Sequence, residues 1–241
     1  MALPLVNASK YEAIIPSTGQ VIEYRPFLVK EEKLLMVALE SKDDKLIVRT
    51  MKDVLSSCIY DNIDINTLTT FDLEELFLRL RSKSVGEKVE LKLKCEECDY
   101  ENPQHVDLDK VTIGKVDIKS NNVIMVNDEV GVEFRYPSIN ELEQVKTVTD
   151  ENNTHEQLEM MNDLIVKSIK SIFDNDNVYP AGDQSEEELI DFIESLNSSQ
   201  FKNITEWLGN MPALTHNIDY NCNKCGHENK LELRGLQSFF T

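Results

Sequence analysis

The residues best suited to chemistry are two Cys-x-x-Cys pairs, Cys95 with Cys98 and Cys222 with Cys225, which account for four of the five cysteines in this 241-residue chain. Thiolates in pairs of this spacing form the soft, tetrahedral donor set that holds a structural zinc ion. A closed four-sulfur site leaves no position open for a substrate, so the pattern indicates a structural role. We predict one zinc ion bound by these four residues.

The sequence around the two pairs is repeated. C-E-E-C-D-Y-E-N over Cys95–Asn102 aligns with C-N-K-C-G-H-E-N over Cys222–Asn229, so Glu-Asn follows each pair at the same offset. Zinc ribbons usually separate their pairs by about 15 to 20 residues. Lengthening that loop to about 120 residues costs on the order of 2 kcal/mol, whereas structural zinc binding contributes about 10 to 16 kcal/mol. The long separation is therefore compatible with a shared site.

Two other interpretations of the pairs are thioredoxin-like redox sites and knuckles that bind no metal. No βαβ pattern surrounds either pair, which disfavours the redox interpretation. His216 and His227 lie near the second pair, but four cysteines already complete a tetrahedron, so we assign both histidines to the surface or to positions behind the ligands. Cys58 falls on the apolar face of a predicted helix, and we expect a buried, inert thiol.

Strands must carry the two pairs. Val89, Leu91 and Leu93 alternate toward the first pair, and His105–Leu108 follows it. Ile218–Tyr220 precedes the second pair. Leu231–Leu233 follows it. We predict zinc-ribbon-like β-hairpins, with residues 87–112 and 214–235 as the two halves of the ribbon.

The remaining sequence predicts an α+β fold. Residues 1–86 are predicted to begin with a hairpin over Tyr11–Phe27. Three helices follow, the first over Lys30–Ser41, the second with apolar positions from Ile47 to Cys58, and the third beginning at Thr69 or Thr70. We expect these helices to form a layer packed against the hairpin.

Residues 113–213 read as an insertion of strands followed by helices. Asn122–Val126 and Val130–Tyr136 alternate around a turn. The helical part has three signals. The first is an apolar stripe at Leu158, Met161, Ile165, Ile169 and Ile172. The second is a capping box at Ser185–Glu188, which opens a helix over Leu189–Leu196, and the third is an apolar stripe at Phe201, Ile204 and Leu208 that ends at Gly209.

Charge and composition exclude several classes of function. With 25 basic and 44 acidic side chains, the net charge of −19 disfavours direct nucleic-acid binding and indicates either simple solubility or a partner with a basic face. No apolar run approaches the roughly 20 residues of a membrane span, and no export signal is present, so we expect a protein made in a cytoplasm. Phosphate-binding glycine loops and nucleophile elbows are also missing, so we predict no enzymatic activity and no small-molecule substrate.

Three segments resemble the T4-type bacteriophage baseplate protein family. They are P-F-L-V-K-E-E-K-L-L over Pro26–Leu35, T-F-D-L-E-E-L-F-L-R-L-R over Thr70–Arg81, and K-S-V-G-E over Lys83–Glu87. The resemblance is strongest from about Tyr11 to Tyr136 and resumes at the second cysteine pair. It implies a non-enzymatic protein of the central hub of a contractile-tail baseplate, acting as a hub subunit or a hub assembly factor through contacts with other baseplate or hub proteins.

The resemblance places the protein in the virion, at the tail baseplate, or in the host cytoplasm during assembly. Members of the family need not retain every cysteine. We therefore expect the zinc to stabilise this protein and not to be required for its role in the baseplate. An alternative is a zinc-ribbon regulatory protein that binds a polymerase or another nucleic-acid machine through protein contacts. An enzyme with an unfamiliar site is a third. The C-terminal segment with Phe239 and Phe240 has two interpretations, a docking peptide or a segment packed in the protein's own core. The sequence specifies no oligomeric state.

Overall fold

A computed structural model describes residues 8–114, 122–145 and 153–239, and their mixture of helices and strands confirms the α+β fold. These residues fall into two compact units. Unit 1 contains residues 8–114 and 212–239. Unit 2 contains residues 122–145 and 153–211.

The elements have the following bounds. The helices are α1 (Val29–Ser41), α2 (Asp44–Cys58), α3 (Thr70–Val85), α4 (Ile139–Glu143), α5 (Thr154–Ser168), α6 (Glu186–Glu194) and α7 (Ser198–Gly209). The strands are β1 (Tyr11–Ile14), β2 (Val21–Tyr24), β3 (Lys88–Lys94), β4 (Glu101–Asp107), β5 (Thr112–Ile113), β6 (Val123–Met125), β7 (Gly131–Phe134), β8 (Ile169–Phe173), β9 (Val178–Pro180), β10 (Leu214–Asn221) and β11 (Glu228–Arg234). Among the described helices, none combines the length and the apolar character needed to cross a membrane.

The first part of unit 1 has the predicted hairpin and three helices. β1 pairs antiparallel with β2, and α3 begins after the N-cap Thr69. Asp72 in the first turn of α3 is fully buried, where its carboxylate accepts the backbone N–H of Ser17 at 2.8 Å and that of Thr69 at 3.0 Å. One side chain thus accepts hydrogen bonds from backbone N–H groups both at the start of α3 and in the turn of the hairpin.

The three helices differ in how much of their apolar surface they bury. The apolar faces of α2 and α3 lie in the core, with Cys58, Phe71 and Leu78 almost fully buried. Burial raises the pKa of the Cys58 thiol to about 11, consistent with the predicted inert thiol. In contrast, α1 buries only Glu31 and Ala38, so the predicted packed layer is confirmed for α2 and α3 but not for most of α1.

Unit 2 is a four-stranded antiparallel sheet in the order β6-β7-β8-β9 with helices against it. Its core joins β7 and β8 to α5, α6 and α7 and contains Phe134, Ile169, Ile165, Leu189 and Ile204. The predicted hairpin of β6 and β7, the capping box at Ser185, and the end of α7 at Gly209 are confirmed.

The predicted helical stripe ending at Ile169 and Ile172 is wrong at its end. α5 stops at Ser168, and both isoleucines lie in β8. The Ser168 carbonyl accepts the N–H of Arg135, the residue after β7, at 2.8 Å, next to the pairing of β7 with β8. Pairing with β7 therefore replaces the next helical turn.

Besides β8, the described part of unit 2 has two elements that the sequence did not predict. β9 follows β8 through an exposed turn, and α4 is a helix of five residues. The short helix carries a recognisable start signal, since Ser138 and Glu141 form a capping box.

The C-terminal segment packs into unit 1. Phe239 is fully buried and Leu236 is nearly so, which supports the interpretation of a segment packed in the protein's own core, while Phe240 lies outside the described residues. Glu74 on α3 holds this segment and β10 together, because its carboxylate accepts the N–H of Leu236 at 3.1 Å and the N–H of Leu214 at 3.3 Å. Burial raises the pKa of Glu74, against the effect of these two hydrogen bonds.

We expect Glu74→Ala to lower the free energy of unfolding by about 2 to 4 kcal/mol, because it leaves two buried backbone N–H groups without an acceptor. Urea unfolding followed by circular dichroism measures the loss, and hydrogen exchange should be faster at Leu214 and Leu236. Glu12→Ala, at an exposed position of β1, is the matched control. Equal stability of the two variants would contradict the role assigned to Glu74.

Candidate metal centre

Each cysteine pair lies at the tip of a β-hairpin, as predicted. β3 pairs with β4 in a register that places Lys94 opposite Glu101 and leaves residues 95–100 as the tip. β10 pairs with β11 in a register that places Asn221 opposite Glu228 and leaves residues 222–227 as the tip. The two tips have the same length and the same position relative to their strands.

The two tips also have the same backbone turn. In the first, the N–H of Cys95 donates to the Tyr100 carbonyl at 3.0 Å, and the N–H of Asp99 donates to the Cys95 carbonyl at 2.9 Å. The second tip repeats both bonds at 2.8 and 2.9 Å. Asp99 and Gly226 are equivalent, and both have left-handed backbone with φ of 54° and 76°. Aspartate and glycine are among the residues that tolerate this conformation.

The four sulfurs of Cys95, Cys98, Cys222 and Cys225 all lie within 4.8 Å of one another. The contacts join the two pairs, with 3.7 Å between the sulfurs of Cys95 and Cys225 and 3.6 Å between those of Cys98 and Cys222. None of the four is in a disulfide. A tetrahedral site with metal–sulfur bonds of about 2.3 Å has sulfur–sulfur edges of about 3.8 Å. The cluster therefore has the size and donor set to hold a metal ion.

Two buried asparagines form hydrogen bonds between the two tips. The side-chain oxygen of Asn229 accepts the N–H of Glu96 in the opposite tip at 3.0 Å. Reciprocally, the side-chain oxygen of Asn102 accepts the N–H of Asn223 at 2.8 Å. Both asparagines are fully buried, and each donates its amide to a carbonyl of its own tip. The oxygen of each side chain thus joins the two tips, and its amide stabilises the turn of its own tip.

These asparagines were not predicted as site residues. They occupy the last position of the repeated C-x-x-C-x-x-E-N segment, at Asn102 and Asn229. The repeat was a usable signal, because a polar residue repeated at a fixed offset from a ligand is well placed to support that ligand.

Burial and hydrogen bonds give the cysteines different pKa values. Burial opposes ionisation of Cys222, but the backbone N–H groups of Cys225 and Lys224 and the amide of Asn102 lower its pKa to about 6. At Cys225 the N–H of His227 favours the thiolate, but burial and hydrogen bonds to the other sulfurs raise the pKa to about 12. Four thiolates at this spacing repel one another, and a bound cation would offset that repulsion.

The hairpins have further contacts that keep them together. The Tyr220 hydroxyl on β10 donates to the Lys94 carbonyl on β3 at 2.9 Å. β5 leads out of the first hairpin and pairs with β10. Arg79 on α3 donates to the carbonyls of Leu108 at 3.2 Å and Val111 at 3.1 Å, which fixes the chain between β4 and β5. The cluster is therefore anchored on α3.

His216 and His227 are half-buried and lie outside the cluster, whose ligand atoms among the described residues all belong to cysteines. His227 contributes its backbone carbonyl, which accepts the N–H of Cys222. This placement agrees with the roles predicted for the two histidines.

Comparison with known proteins identifies the family of the chain. The family model described as "T4 bacteriophage base plate protein" matches residues 8–241, which is nearly the whole chain. Neither the curated proteins nor the solved structures include a match. The chain therefore belongs to the T4 bacteriophage base plate protein family.

Proposed function

We propose that this protein is a non-enzymatic component of the central hub of a contractile-tail baseplate, where it acts as a subunit or as a hub assembly factor. The observation that carries the proposal is the family match across nearly the whole chain. The protein works through contacts with other baseplate or hub proteins. Its place of action is the virion tail or, during assembly, the host cytoplasm.

In this proposal Cys95, Cys98, Cys222 and Cys225 bind a structural zinc ion. The support is the donor set, the sulfur separations near those of a tetrahedral site, and the buried asparagines behind the sulfurs. Residues 87–112 and 214–235 then form the two halves of a zinc ribbon, residues 1–86 support it, and residues 113–213 are an insertion. When bound, the ion stabilises the ribbon and supplies no reaction.

The surface of α1 supports a role through protein contacts. Leu34, Met36, Val37 and Leu39 leave between 50 and 64 % of their surface exposed. Met36 and Leu39 line a groove of about 410 Å³ together with apolar side chains of α2 and α3, whereas Leu34 and Val37 lie on the opposite side of the helix. Exposed apolar surface on both sides of a helix marks a site for a protein partner. We assign this exposed apolar surface of α1, which we call the α1 face, to an apolar surface of a neighbouring baseplate protein.

Deletion of the gene should abolish complete tails. Quantitative mass spectrometry of purified virions and of hub assembly intermediates tests the proposal, with a known hub subunit as the reference. A subunit is present in virions at a fixed ratio, whereas an assembly factor is present only in the intermediates. Complete, contractile tails from the deletion phage would contradict both roles, and co-purification with a polymerase instead would favour the regulatory alternative.

We expect Cys222→Ser to lose the bound zinc, because it removes one ligand of a closed site. Metal analysis by mass spectrometry should find about one zinc per chain in the wild type, and the variant should lose more than about 3 kcal/mol of unfolding free energy. Cys58→Ala is the matched control. Because Cys58 lies outside the cluster, this substitution should leave the zinc content unchanged. Iron in the wild type, or unchanged zinc in Cys222→Ser, would overturn the assignment.

Val37→Asp should fold normally but fail to complement the deletion phage. Val37 is 64 % exposed, so the change should alter stability by no more than about 0.5 kcal/mol, while a charge on the α1 face disfavours an apolar partner. Glu40→Gln, on the exposed surface of the same helix, should complement fully. Normal plaque counts with Val37→Asp would show that the α1 face is not the contact.

A further inference from the structure

The negative charge of the protein is concentrated in unit 2. Its described residues contain 17 acidic and 4 basic side chains, whereas those of unit 1 contain 24 acidic and 18 basic. The four basic side chains among these described residues each lie in an ion pair within the unit, namely Arg135 with Glu141, Lys167 with Asp163, Lys170 with Glu133, and Lys202 with Glu206. The described part of unit 2 therefore has a large excess of carboxylates and no cation outside an ion pair.

A groove with an apolar floor opens on this acidic unit. It has a volume of about 280 Å³ and lies between the β8–β9 hairpin and α6. The floor is formed by apolar side chains, which are Val130, Ile172, Phe173, Leu189 and Phe192. The ring of Phe173 lies directly over Gly131, where a Cβ atom would overlap it. This position of β7 therefore requires glycine.

Two carboxylates on the rim of the groove are held in place. Asp174 in the β8–β9 turn accepts the backbone N–H groups of Asp176 at 2.8 Å and Asn177 at 2.7 Å. Glu188 on α6 accepts the N–H and the hydroxyl of Ser185, each at 2.8 Å. These bonds lower the pKa of both carboxyls, so both stay charged at neutral pH. The rim is therefore negative on the hairpin side and on the helix side.

We propose that this groove, which we call the acidic groove, binds a segment of a partner protein that carries apolar side chains flanked by lysine or arginine. The apolar side chains lie on the floor, and the flanking cations pair with Asp174 and Glu188. An apolar floor alone would accept many segments, whereas the charged rim selects basic ones and repels acidic ones. The inference rests on the proposed function through protein contacts and adds the chemistry of one partner segment.

Peptide binding to the purified full-length chain tests the acidic groove. Three synthetic 12-residue peptides serve as probes, the first with a central Leu-Phe flanked by lysines, the second with the same lysines around Ser-Ser, and the third with Leu-Phe flanked by glutamines. NMR titration should give saturable shifts at Val130, Leu189 and Phe192 with the first peptide, and binding roughly tenfold or more weaker with the other two. Higher salt should weaken the first interaction.

The double variant Asp174→Asn/Glu188→Gln removes both rim charges while keeping hydrogen-bond acceptors for the turn and the capping box. It should weaken binding of the first peptide by roughly 2- to 30-fold, the range expected for two exposed ion pairs. Glu194→Gln/Glu206→Gln removes two charges of unit 2 from positions that do not line the groove, and it should leave the affinity within about twofold.

Three results would overturn the acidic groove. They are equal binding of the Ser-Ser peptide, shifts spread over α5 and α7, and equal effects of the two double variants. If the deletion phage makes no complete tails, any of these results contradicts the acidic groove and leaves the proposed function standing. If the deletion phage makes complete tails while the first peptide still binds as expected, the proposed function is contradicted instead.

Discussion

The fold of unit 1 depends on the contact between two hairpin tips that are far apart in the sequence. Closing a loop of about 120 residues costs entropy, and the four sulfurs that meet where the loop closes would repel one another if all were ionised. The reciprocal bonds of Asn102 and Asn229 fix the separation of the tips, but they are two hydrogen bonds, each worth about 1 kcal/mol. A tetrahedral metal site contributes far more, so the asparagines position the sulfurs and the ion would supply most of the stabilisation.

α3 connects this contact to the rest of unit 1 through charged side chains that are buried or half-buried. Asp72 accepts backbone N–H groups of the N-terminal turn, Glu74 those of β10 and the C-terminal segment, and Arg79 donates to the carbonyls after β4. All three bind backbone groups at the ends of elements or in connecting segments, where helix and sheet hydrogen bonding is incomplete. A helix with charged side chains at these positions can therefore organise segments that hydrophobic packing alone would leave without order.

Local signals made much of this structure predictable from the sequence. Cysteine spacing and alternating residues predict the hairpins and their tips, and caps such as Thr69 and Ser185 predict helix starts, because these features act within a few residues. The strand at Ile169 was missed because isoleucines at this spacing fit a helix as well as a strand, and pairing with β7 decided between them. The repeat marks Asn102 and Asn229 as residues near the ligands, but it does not identify their partners, because each bond crosses to the other half of the repeat.

The two units carry different kinds of surface, and this division suits a protein that works in an assembly. Unit 1 exposes the apolar α1 face with a modest charge, while unit 2 carries most of the negative charge around a smaller groove. Electrostatic attraction acts over roughly 8 to 10 Å at physiological salt and speeds encounter, whereas apolar contact acts only after the surfaces meet and slows dissociation. An acidic unit can thus select and attract a basic partner, and an apolar face can hold a different one. A protein with both surfaces can join two components of a baseplate, because the contacts do not compete for the same residues.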